Sequence, residues 1–284
     1  MLNRLATRAI EDLRYGVACR QYHATAAEPQ KVLVNGSPKT GTTWMLRLTT
    51  SVPGYSGISG IPGHNFRGVI KRYREVMPGE VVHGHDRYSE ELWELLQSNG
   101  IKVVLTMRDP RDQVVSRLFH IRREREHPWH DRLTNMGNDD AMMAIIEGRH
   151  LGSTEALPGT RDHVSLTVGW LEAGDKAHCV RYEDLKEDTS REFGEVLHYI
   201  GVAAREELIR AIVERNRFER LTTGRGFWRV GRKSGQQDAN SFYRKGIVGD
   251  WRNFFNELHV KRFKELVGDT LIEWGYEQDL DWHV

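Results

Sequence analysis

A glycine-bearing loop between a predicted strand and a predicted helix is the feature that most constrains this chain. Residues 31–35 hold an apolar, β-branched run that is typical of a buried strand. A turn-forming run follows at 36–41, and residues 42–51 then lack Gly and Pro, which predicts a helix. In a strand–loop–helix unit of this kind, backbone N–H groups converge and hold anions. The stretch therefore predicts a phosphate site, with Lys39 as its cation.

The loop departs from the nucleotide-triphosphate motif G-x-x-x-x-G-K-[ST]. Gly36 and Gly41 have the spacing of that motif, and Thr43 stands at the position of its metal-binding hydroxyl. However, Thr42 stands where the lysine belongs, and the lysine lies inside the loop, at Lys39. We therefore expect a phosphate site that does not use magnesium in the usual way. The alternative is an ordinary turn between strand and helix, but it leaves this concentration of special residues unexplained.

The composition fits one globular domain. The chain has 284 residues, of which 39% are hydrophobic and 29% are charged, and no linker-like or low-complexity segment divides it. The formal net charge of +1 gives no sign of wholesale binding to nucleic acid or to membranes. Two cysteines do not make a disulfide framework, which favours a reducing compartment. We therefore expect a single cytoplasmic domain over residues 1–284, with its motif-bearing core at 31–255 and C-terminal helices at 256–284.

The N-terminal segment, residues 1–28, is predicted to be an amphipathic helix with a lead-in. Apolar residues recur at helical spacing, and arginines occupy other positions. An organelle transit peptide shares this pattern, but Glu11 and Asp12 fit it poorly. We expect a helix that packs on the domain. No apolar run in the sequence approaches the length that is needed to span a bilayer.

Strands and helices alternate along the rest of the chain, which predicts an α/β fold with a central parallel sheet flanked by helices. The further strands are predicted at 81–85, 101–107 and 177–182. Loops are predicted at 52–63, 128–138 and 222–249. Helices are predicted at 64–77, 88–97, 110–126, 139–147, 160–172, 189–200, 205–215, 256–267 and 270–274.

Four stretches meet at one edge of the predicted sheet, because ligands of open parallel sheets bind at the carboxyl ends of the strands. These stretches are the loop with Lys39 and the strand ends at His85, Arg108 and Tyr182. The segment 222–249 is rich in glycine and in cations, and so long a structureless stretch is usually functional, often as a lid. Several cations beside a phosphate loop predict a ligand with more than one anionic group.

Motifs along the chain resemble, in order, those of the sulfotransferase family, whose donor is 3′-phosphoadenosine 5′-phosphosulfate. Residues 37–44, SPKTGTTW, resemble its 5′-phosphosulfate loop. Residues 103–112, VVLTMRDPRD, with Ser116 beyond them, resemble its 3′-phosphate motif. Residues 244–251, RKGIVGDW, resemble its C-terminal motif RKG-x-x-GDW, and 181–185, RYEDL, add a weaker match. The resemblance implies a P-loop-like nucleotide-binding fold and a sulfotransferase.

The resemblance also implies roles for the matching residues. Lys39 would neutralise the charge that builds on the leaving phosphate, and Trp44 would stack on adenine. Arginine suits the 3′-phosphate, because its planar fork donates paired hydrogen bonds. The residues implied to bind the donor are Lys39, Thr40, Gly41, Thr42, Thr43, Trp44, Arg108, Ser116, Tyr182, Phe218, Arg244, Lys245 and Gly246, with Asn216 as a further neighbour of the adenine.

His85 is the candidate general base, and with Lys39 it completes the predicted catalytic pair. It ends a predicted strand beside the phosphate loop, and it takes the third position of the family's lysine-threonine-histidine triplet. An imidazole accepts a hydroxyl proton near neutral pH. His83 stands where cytosolic members carry lysine, so one contact to the sulfuryl group is left open. Asp86 either orients one of the histidines or faces solvent.

The predicted reaction moves a sulfuryl group in line from the donor to a hydroxyl or amine of a small-molecule acceptor. Adenosine 3′,5′-bisphosphate is the expected product, and no metal is expected. A phosphate-loop small-molecule kinase and a nucleotide-binding module without catalysis are the alternatives. The short dimer motif of cytosolic members is not recognised after Trp251, so the oligomeric state is not predicted. Variable loops are expected to select the acceptor, at 54–67, 127–138, 148–161 and 222–239.

Overall fold

Five parallel strands form the central sheet in a computed structural model that describes residues 2–23, 28–58, 66–151, 155–222, 232–238 and 241–284. The described residues contain seven strands in all, β1 (Lys31–Gly36), β2 (Ser56–Ile58), β3 (Glu80–His83), β4 (Ile101–Met107), β5 (Arg149–Leu151), β6 (Glu155–Leu157) and β7 (His178–Arg181). The order in the sheet is β2-β3-β1-β4-β7, whereas β5 and β6 form a separate antiparallel pair. The predicted α/β fold with a central parallel sheet is confirmed.

The helices cover both faces of this sheet. They are α1 (Leu2–His23), α2 (Thr42–Thr50), α3 (Phe66–Glu75), α4 (Glu90–Ser98), α5 (Pro110–Arg123), α6 (His130–Asn135), α7 (Asn138–Glu147), α8 (Thr160–Glu172), α9 (Tyr182–Glu187), α10 (Thr189–Tyr199), α11 (Glu206–Arg215), α12 (Phe218–Leu221) and α13 (Glu257–Glu273). Two short 3₁₀ helices lie at Gly174–Lys176 and Asp250–Asn253.

The central strand β1 shows why the sheet is covered on both faces. Val32 and Val34 belong to one buried cluster, whereas Leu33, between them, belongs to another. Side chains alternate along a strand, so this division places apolar groups on opposite faces of the sheet. A strand buried on both faces has a continuous apolar sequence, as β1 does.

Several predicted boundaries are wrong. The predicted loop 52–63 contains β2, and the predicted loop 128–138 contains α6. The helices α9 and α12 and the β5–β6 pair were not predicted. The two predicted C-terminal helices are confirmed, because a kink at Val267 (φ −147°, ψ 21°) divides α13 into two helical parts. Parts of the predicted lid and acceptor loops, residues 59–65, 152–154, 223–231, 239 and 240, lie outside the described residues.

The N-terminal helix α1 packs on the rest of the chain through its acidic residues. Glu11 forms ion pairs with Arg217 and Arg220, and Asp12 forms ion pairs with Arg215 and Arg220. The two acids that fit a transit peptide poorly thus form ion pairs between α1 and the domain, and Ala18 and Tyr22 of the same helix are buried in a core cluster. Among the described residues, no helix is both long enough and apolar enough to cross a membrane.

The start of α5 is fixed by a buried network at the carboxyl end of β4. Asp109 caps the helix by accepting a hydrogen bond from the Arg111 backbone N–H (2.8 Å), with Pro110 in the first turn. The Arg111 guanidinium also pairs with the Asp109 carboxylate, and it lies between the rings of Trp251 (4.1 Å) and Trp282 (4.6 Å). This network ties the C-terminal segment to the strand end that carries the candidate site.

Candidate active site

A cavity of about 310 Å³ opens at the carboxyl edge of the sheet. It collects all but one of the predicted site residues, namely Lys39, Gly41, Thr42, Thr43, Trp44, His85, Arg108, Ser116, Tyr182, Phe218, Arg244, Lys245 and Gly246. It is also lined by residues for which no role was predicted, or whose role was left open, namely Pro38, His83, His120, Lys186, Leu221, Phe242, Tyr243 and Ile247. Sequence spacing offered a signal for His120, which lies one helical turn after Ser116.

Thr40 is the predicted binding residue that does not line the cavity. Its hydroxyl donates to the Ser37 backbone carbonyl (2.7 Å) and lies 2.8 Å from the Thr106 hydroxyl on β4. The side chain is buried, so these contacts tie the loop to the neighbouring strand. The Thr40 side chain therefore stabilises the shape of the loop, whereas its neighbours Lys39 and Gly41 line the cavity.

The loop backbone adopts conformations that few residues tolerate. Lys39 has φ 75°, and it is the one residue other than glycine with positive φ in the described part of the chain. Gly41 has φ 104°, and a Cβ atom there would lie 3.0 Å from the Tyr182 ring. A left-handed conformation at a non-glycine residue costs about 1–2 kcal/mol and points to a functional constraint. The turn presents the Lys39 side chain to the cavity and brings the loop against Tyr182.

Lys39 is a half-buried cation, and no ion pair to a carboxylate is found for it among the described residues. Its ammonium lies 4.3 Å from the centre of the Phe242 ring. Burial, together with the nearby charges of Arg123 and Arg108, lowers the pKa of Lys39 to about 8. An anion placed beside Lys39 would relieve this charge repulsion. The site is therefore prepared for a negatively charged group.

Arg108 carries a buried guanidinium at the end of β4. It lies 4.3 Å from the centre of the Tyr182 ring, and its Nη2 donates to the Ile247 carbonyl (3.2 Å). The same Nη2 is 3.4 Å from Asp112, whose carboxylate accepts hydrogen bonds from the backbone N–H groups of Gly249 (2.7 Å) and Trp251 (2.9 Å). Asp112 thus joins α5 to the C-terminal motif. The Nε atom of Arg108 is buried without a partner, and it is available to a ligand.

Arg244 and Lys245 are held by one shared carboxylate. Both donate to Asp250, the Lys245 ammonium at 2.5 Å and the Arg244 guanidinium to the other oxygen. Burial acts to raise the pKa of Asp250, but the hydrogen bonds from Lys245 and Arg244 outweigh it and lower that pKa. Two cations against one carboxylate leave a net positive charge on this wall of the cavity. Together with Arg108, they add a further group of cations to the cavity that Lys39 lines.

Aromatic side chains share the cavity with these cations. The Trp44 indole N–H donates to the Asn216 carbonyl (3.0 Å), and its ring meets Tyr182 edge to face at 6.0 Å. Asn216 does not line the cavity, because its buried side chain donates to Ser51 and to Ile212. A flat ring bound here would meet Trp44 and Phe218, both of which line the cavity.

His85 lies two residues beyond the end of β3, since that strand ends at His83 and not at the predicted residue 85. Its Nδ1 is 2.6 Å from the Gly36 carbonyl oxygen, which only accepts hydrogen bonds. Nδ1 therefore carries the proton, and Nε2 is left as a proton acceptor. Burial lowers the pKa of His85, so the ring is neutral at neutral pH. This is the protonation state that a general base requires.

His83 is a neighbour of His85 with a different environment. Their rings meet edge to face at 4.8 Å. Burial lowers the pKa of His83 to about 4, with smaller contributions from His85 and Arg72. The Asp86 carboxylate accepts from the Tyr73 hydroxyl, and its backbone N–H donates to Asn35 (2.9 Å). The Asp86 side chain is half-buried, and the hydrogen bond that is found for its carboxylate among the described residues comes from a tyrosine and not from a histidine ring.

The metal-free reaction stays a prediction. Within the described ranges, no group of three or more His, Cys, Asp or Glu side chains is placed to hold a metal ion. The cavity is instead supplied with lysine and arginine, whose charges can neutralise an anionic ligand directly.

Comparisons with known proteins agree with this arrangement. A family model described as "Sulfotransferase domain" matches residues 29–275. Sulfotransferase 1C2 of Homo sapiens is 25% identical over 268 residues, which cover 87% of this chain and 84% of that protein. Sulfotransferase 1E1 of Homo sapiens is 22% identical over 279 residues, which cover 89% of each.

Solved structures share the fold. The crystal structure of mouse sulfotransferase SULT7A1 complexed with PAP matches with a TM-score of 0.65 and 19% identity, over 89% of each chain. A crystal structure of retinol dehydratase in a complex with retinol and PAP matches with a TM-score of 0.56 and 18% identity, over 95% of this chain and 87% of that one. These likenesses identify the fold as the P-loop-like nucleotide-binding type. Because the family model spans most of the sequence, the chain belongs to the sulfotransferase family and is a transferase enzyme.

Proposed function

We propose that this enzyme transfers a sulfuryl group from 3′-phosphoadenosine 5′-phosphosulfate to a hydroxyl or amine of a small-molecule acceptor. The observation that carries the proposal is one cavity that is lined by the cations Lys39, Arg108, Arg244 and Lys245 and by aromatic rings. This arrangement fits a nucleotide that carries two separate anionic groups.

The residues present fit such a donor. Arg108, Arg244 and Lys245 would hold the 3′-phosphate, and the buried, unpartnered Nε of Arg108 supports this role. Thr42 and Thr43 begin α2, where hydroxyls and unpaired backbone N–H groups would hold the 5′-phosphate. Ser116 would add a hydroxyl to the 3′-phosphate site. Gly41, Trp44, Tyr182, Phe218 and Gly246 would surround the nucleoside.

The chemistry assigned to the protein is proton removal and charge neutralisation. The bound donor supplies an electrophilic sulfur and a phosphate leaving group. His85 Nε2 would accept the proton of the acceptor hydroxyl as a new S–O bond forms and the S–O bond to the 5′-phosphate breaks. Lys39 would neutralise the charge that develops on the bridging oxygen, where a preorganised cation is most effective. The products are a sulfate ester, or a sulfamate from an amine, and adenosine 3′,5′-bisphosphate.

Both alternatives have a distinguishing requirement. A phosphate-loop kinase needs a lysine at position 42, which is Thr42 here, and a magnesium ion. A binding module without catalysis needs no general base, whereas His85 is held with Nε2 free to accept a proton.

We also propose a reducing compartment, the cytoplasm, because Cys19 and Cys179 are both free thiols.

The test is an acceptor screen with isotopically labelled donor. The protein is incubated with labelled 3′-phosphoadenosine 5′-phosphosulfate and a panel of phenols, alcohols, sugars and amines. Mass spectrometry should detect a labelled sulfated product together with adenosine 3′,5′-bisphosphate. Tight binding of the bisphosphate without any labelled product would favour the binding module, and phosphate transfer from ATP would favour the kinase.

A further inference from the structure

A further imidazole, that of His120 on α5, lines the cavity and has no role in the reaction proposed above. Its side chain is 32% exposed, so the ring reaches open space. Ser116, one helical turn earlier on α5, lines the same cavity. A ligand in the cavity can therefore meet the His120 ring, and the hydrogen bonds of that ring decide what it offers.

The contact with Arg123 determines which nitrogen of His120 carries the proton. Arg123 Nη2 lies 3.1 Å from His120 Nδ1, and a guanidinium donates hydrogen bonds but does not accept them. Nδ1 therefore accepts, and the neutral ring carries its proton on Nε2. Among the described residues no hydrogen bond to Nε2 is found, and Nε2 is not one of the enclosed polar atoms. It is an unused hydrogen-bond donor on a ring that lines the cavity.

The His120 ring stays neutral at neutral pH. Burial, and then the charges of Lys39 and Arg123, lowers the pKa of His120 to about 4, and His127 adds to this effect. Glu124 acts in the opposite direction, but its Oε1 is 3.8 Å from His120 Nδ1 and accepts a hydrogen bond from Arg123 Nε (2.9 Å). His120 therefore keeps a single ring proton, on Nε2.

His120 and Lys39 are neighbours. Both contact the Phe242 ring: the Lys39 ammonium lies 4.3 Å from its centre, and the His120 ring meets it edge to face at 6.5 Å. The charge of Lys39 lowers the pKa of His120 more than that of Arg123 does, although the Arg123 guanidinium is 3.1 Å from Nδ1. The charge of Lys39 also acts on His85. Lys39 is thus a common neighbour of both imidazoles.

The two imidazoles are prepared for opposite tasks. His85 Nδ1 carries its proton because it faces the Gly36 carbonyl oxygen, so Nε2 of His85 accepts. His120 Nδ1 accepts from Arg123, so Nε2 of His120 donates. The cavity therefore offers one imidazole that can take up a proton and another that can donate a hydrogen bond to an anionic oxygen.

We propose that His120 Nε2 donates a hydrogen bond to an oxygen of the sulfuryl group that is transferred. The inference rests on the proposed function, in which Lys39 neutralises the bridging oxygen and His85 accepts the proton of the acceptor. The sulfuryl group then lies between these two residues, and Lys39 is the neighbour of His120. Sulfuryl oxygens are anionic acceptors, and a neutral N–H binds them without adding a charge that repels Lys39. His120 is therefore a catalytic residue.

A binding comparison tests this contact without turnover. 3′-Phosphoadenosine 5′-phosphosulfate carries the sulfuryl group and adenosine 3′,5′-bisphosphate lacks it, so the ratio of their affinities isolates contacts to that group. His120→Phe keeps an aromatic ring and removes the N–H. In calorimetry without acceptor, this variant should bind the phosphosulfate at least about tenfold more weakly, because a charge-assisted hydrogen bond is lost, and should bind the bisphosphate as before. An unchanged ratio overturns the proposal.

Two further variants show whether the N–H or the shape of the ring matters. His120→Gln places an amide N–H near the position of Nε2 and should recover most of the affinity for the phosphosulfate. His198→Phe makes the same aromatic substitution at an exposed histidine of α10, and it should change neither affinity. Equal losses in His120→Gln and His120→Phe would assign the effect to the shape of the ring and overturn the proposal.

Spectroscopy of the unchanged protein tests the tautomer without any variant that could fail to fold. Two-bond proton–nitrogen NMR spectra of protein with isotope-labelled histidine report which ring nitrogen is protonated. We expect His120 to be protonated on Nε2 and His85 on Nδ1. The Nε2 resonance of His120 should shift more with the phosphosulfate than with the bisphosphate. A proton on Nδ1 of His120 would overturn the proposal.

A turnover measurement separates this inference from the proposed function. With an acceptor from the screen described above, His120→Phe should lower kcat at least about tenfold, because a preorganised hydrogen bond to the reacting group is lost. A higher KM for the acceptor with unchanged phosphosulfate affinity would place His120 against the acceptor, so the inference would fail and the proposed function would stand. Phosphosulfate binding that depends on His120, without transfer to any acceptor, would contradict the proposed function and leave the sulfuryl contact standing.

Discussion

His85 Nδ1 lies 2.6 Å from the backbone carbonyl oxygen of Gly36. Gly36 ends β1 and begins the phosphate loop, so the contact connects the candidate base to the loop that presents Lys39. The same hydrogen bond fixes the tautomer of the imidazole. The proposed base and the lysine proposed to neutralise the leaving group are therefore positioned by one segment of backbone.

Replacement of His85 should slow the chemical step and spare donor binding. His85→Ala should lower kcat by roughly 10²-fold or more, the usual contribution of a positioned base. The affinity for adenosine 3′,5′-bisphosphate, measured by calorimetry, should change little, because the phosphate-binding cations are untouched. His83→Ala is the matched control, since its ring is the neighbour of His85. An inactive His83→Ala beside an active His85→Ala would identify His83 as the base.

The pH profile should show two limbs with distinct origins. Because burial lowers the pKa of His85, activity should rise with pH below about 6.5, the ordinary histidine value, as the ring loses its proton. Lys39, with a pKa of about 8, loses its charge above that pH, so kcat/KM for the donor should fall there. Bound anion should raise the pKa of Lys39 and move the alkaline limb of kcat upward. A Lys39→Arg variant whose alkaline limb is unchanged would contradict this assignment.

The sequence predicts the site better than it predicts the short elements around it. The phosphate loop is local: its conformation is set by turn chemistry, and Lys39, Gly41, Thr42 and Thr43 all reach the cavity. The hydrogen bonds of the Thr40 hydroxyl to Ser37 and Thr106 join residues that are distant in the chain, and no spacing in the sequence indicates the contact with Thr106.

The missed elements depend on partners that are distant in the chain. β2 has three residues and an exposed pattern, and it exists because it pairs with β3, as in Ser56↔Glu80. A strand without alternating burial carries no periodic signal. Phe242 and Tyr243 precede the RKG motif in a segment without periodicity, so their place in the cavity follows from the path of the chain. Their adjacency to Arg244 was the available clue.

Donor affinity should depend on the 3′-phosphate through Arg108. Adenosine 3′,5′-bisphosphate should bind more tightly than 5′-AMP, and Arg108→Met should remove about 2 kcal/mol of the bisphosphate binding energy, the scale of a charge-assisted hydrogen bond. The affinity for 5′-AMP should be nearly unchanged in this variant. Calorimetry with both nucleotides decides the matter, and Arg125→Met serves as the charge-matched control. Equal affinities for the two nucleotides in the unchanged protein would contradict a 3′-phosphate site.

Chelators should leave turnover intact. Thr42 stands where the magnesium-dependent nucleotide-triphosphate motif has its lysine. The cavity is lined by lysine and arginine side chains, which can neutralise the charge of the donor. Sulfation rates measured with and without excess EDTA should therefore agree. Loss of activity in EDTA that magnesium restores would favour the kinase alternative.

Asp112 should matter for stability and for donor binding at once. Its buried carboxylate accepts from the Gly249 and Trp251 backbone N–H groups and lies beside Arg108, so Asp112→Asn places an amide N–H₂ against existing donors and leaves a buried cation unpaired. Breaking a buried ion pair costs about 3–5 kcal/mol, which thermal or denaturant unfolding should detect. Bisphosphate affinity should fall as well, because the segment with Arg244 and Lys245 loses its attachment to α5.

Asp184→Asn is the control for Asp112→Asn. The ion pair between Asp184 and Arg181 is partly exposed, with a distance of 3.8 Å, and should contribute about 1 kcal/mol or less. Equal stability of the two variants would show that Asp112 does not hold the C-terminal motif in place.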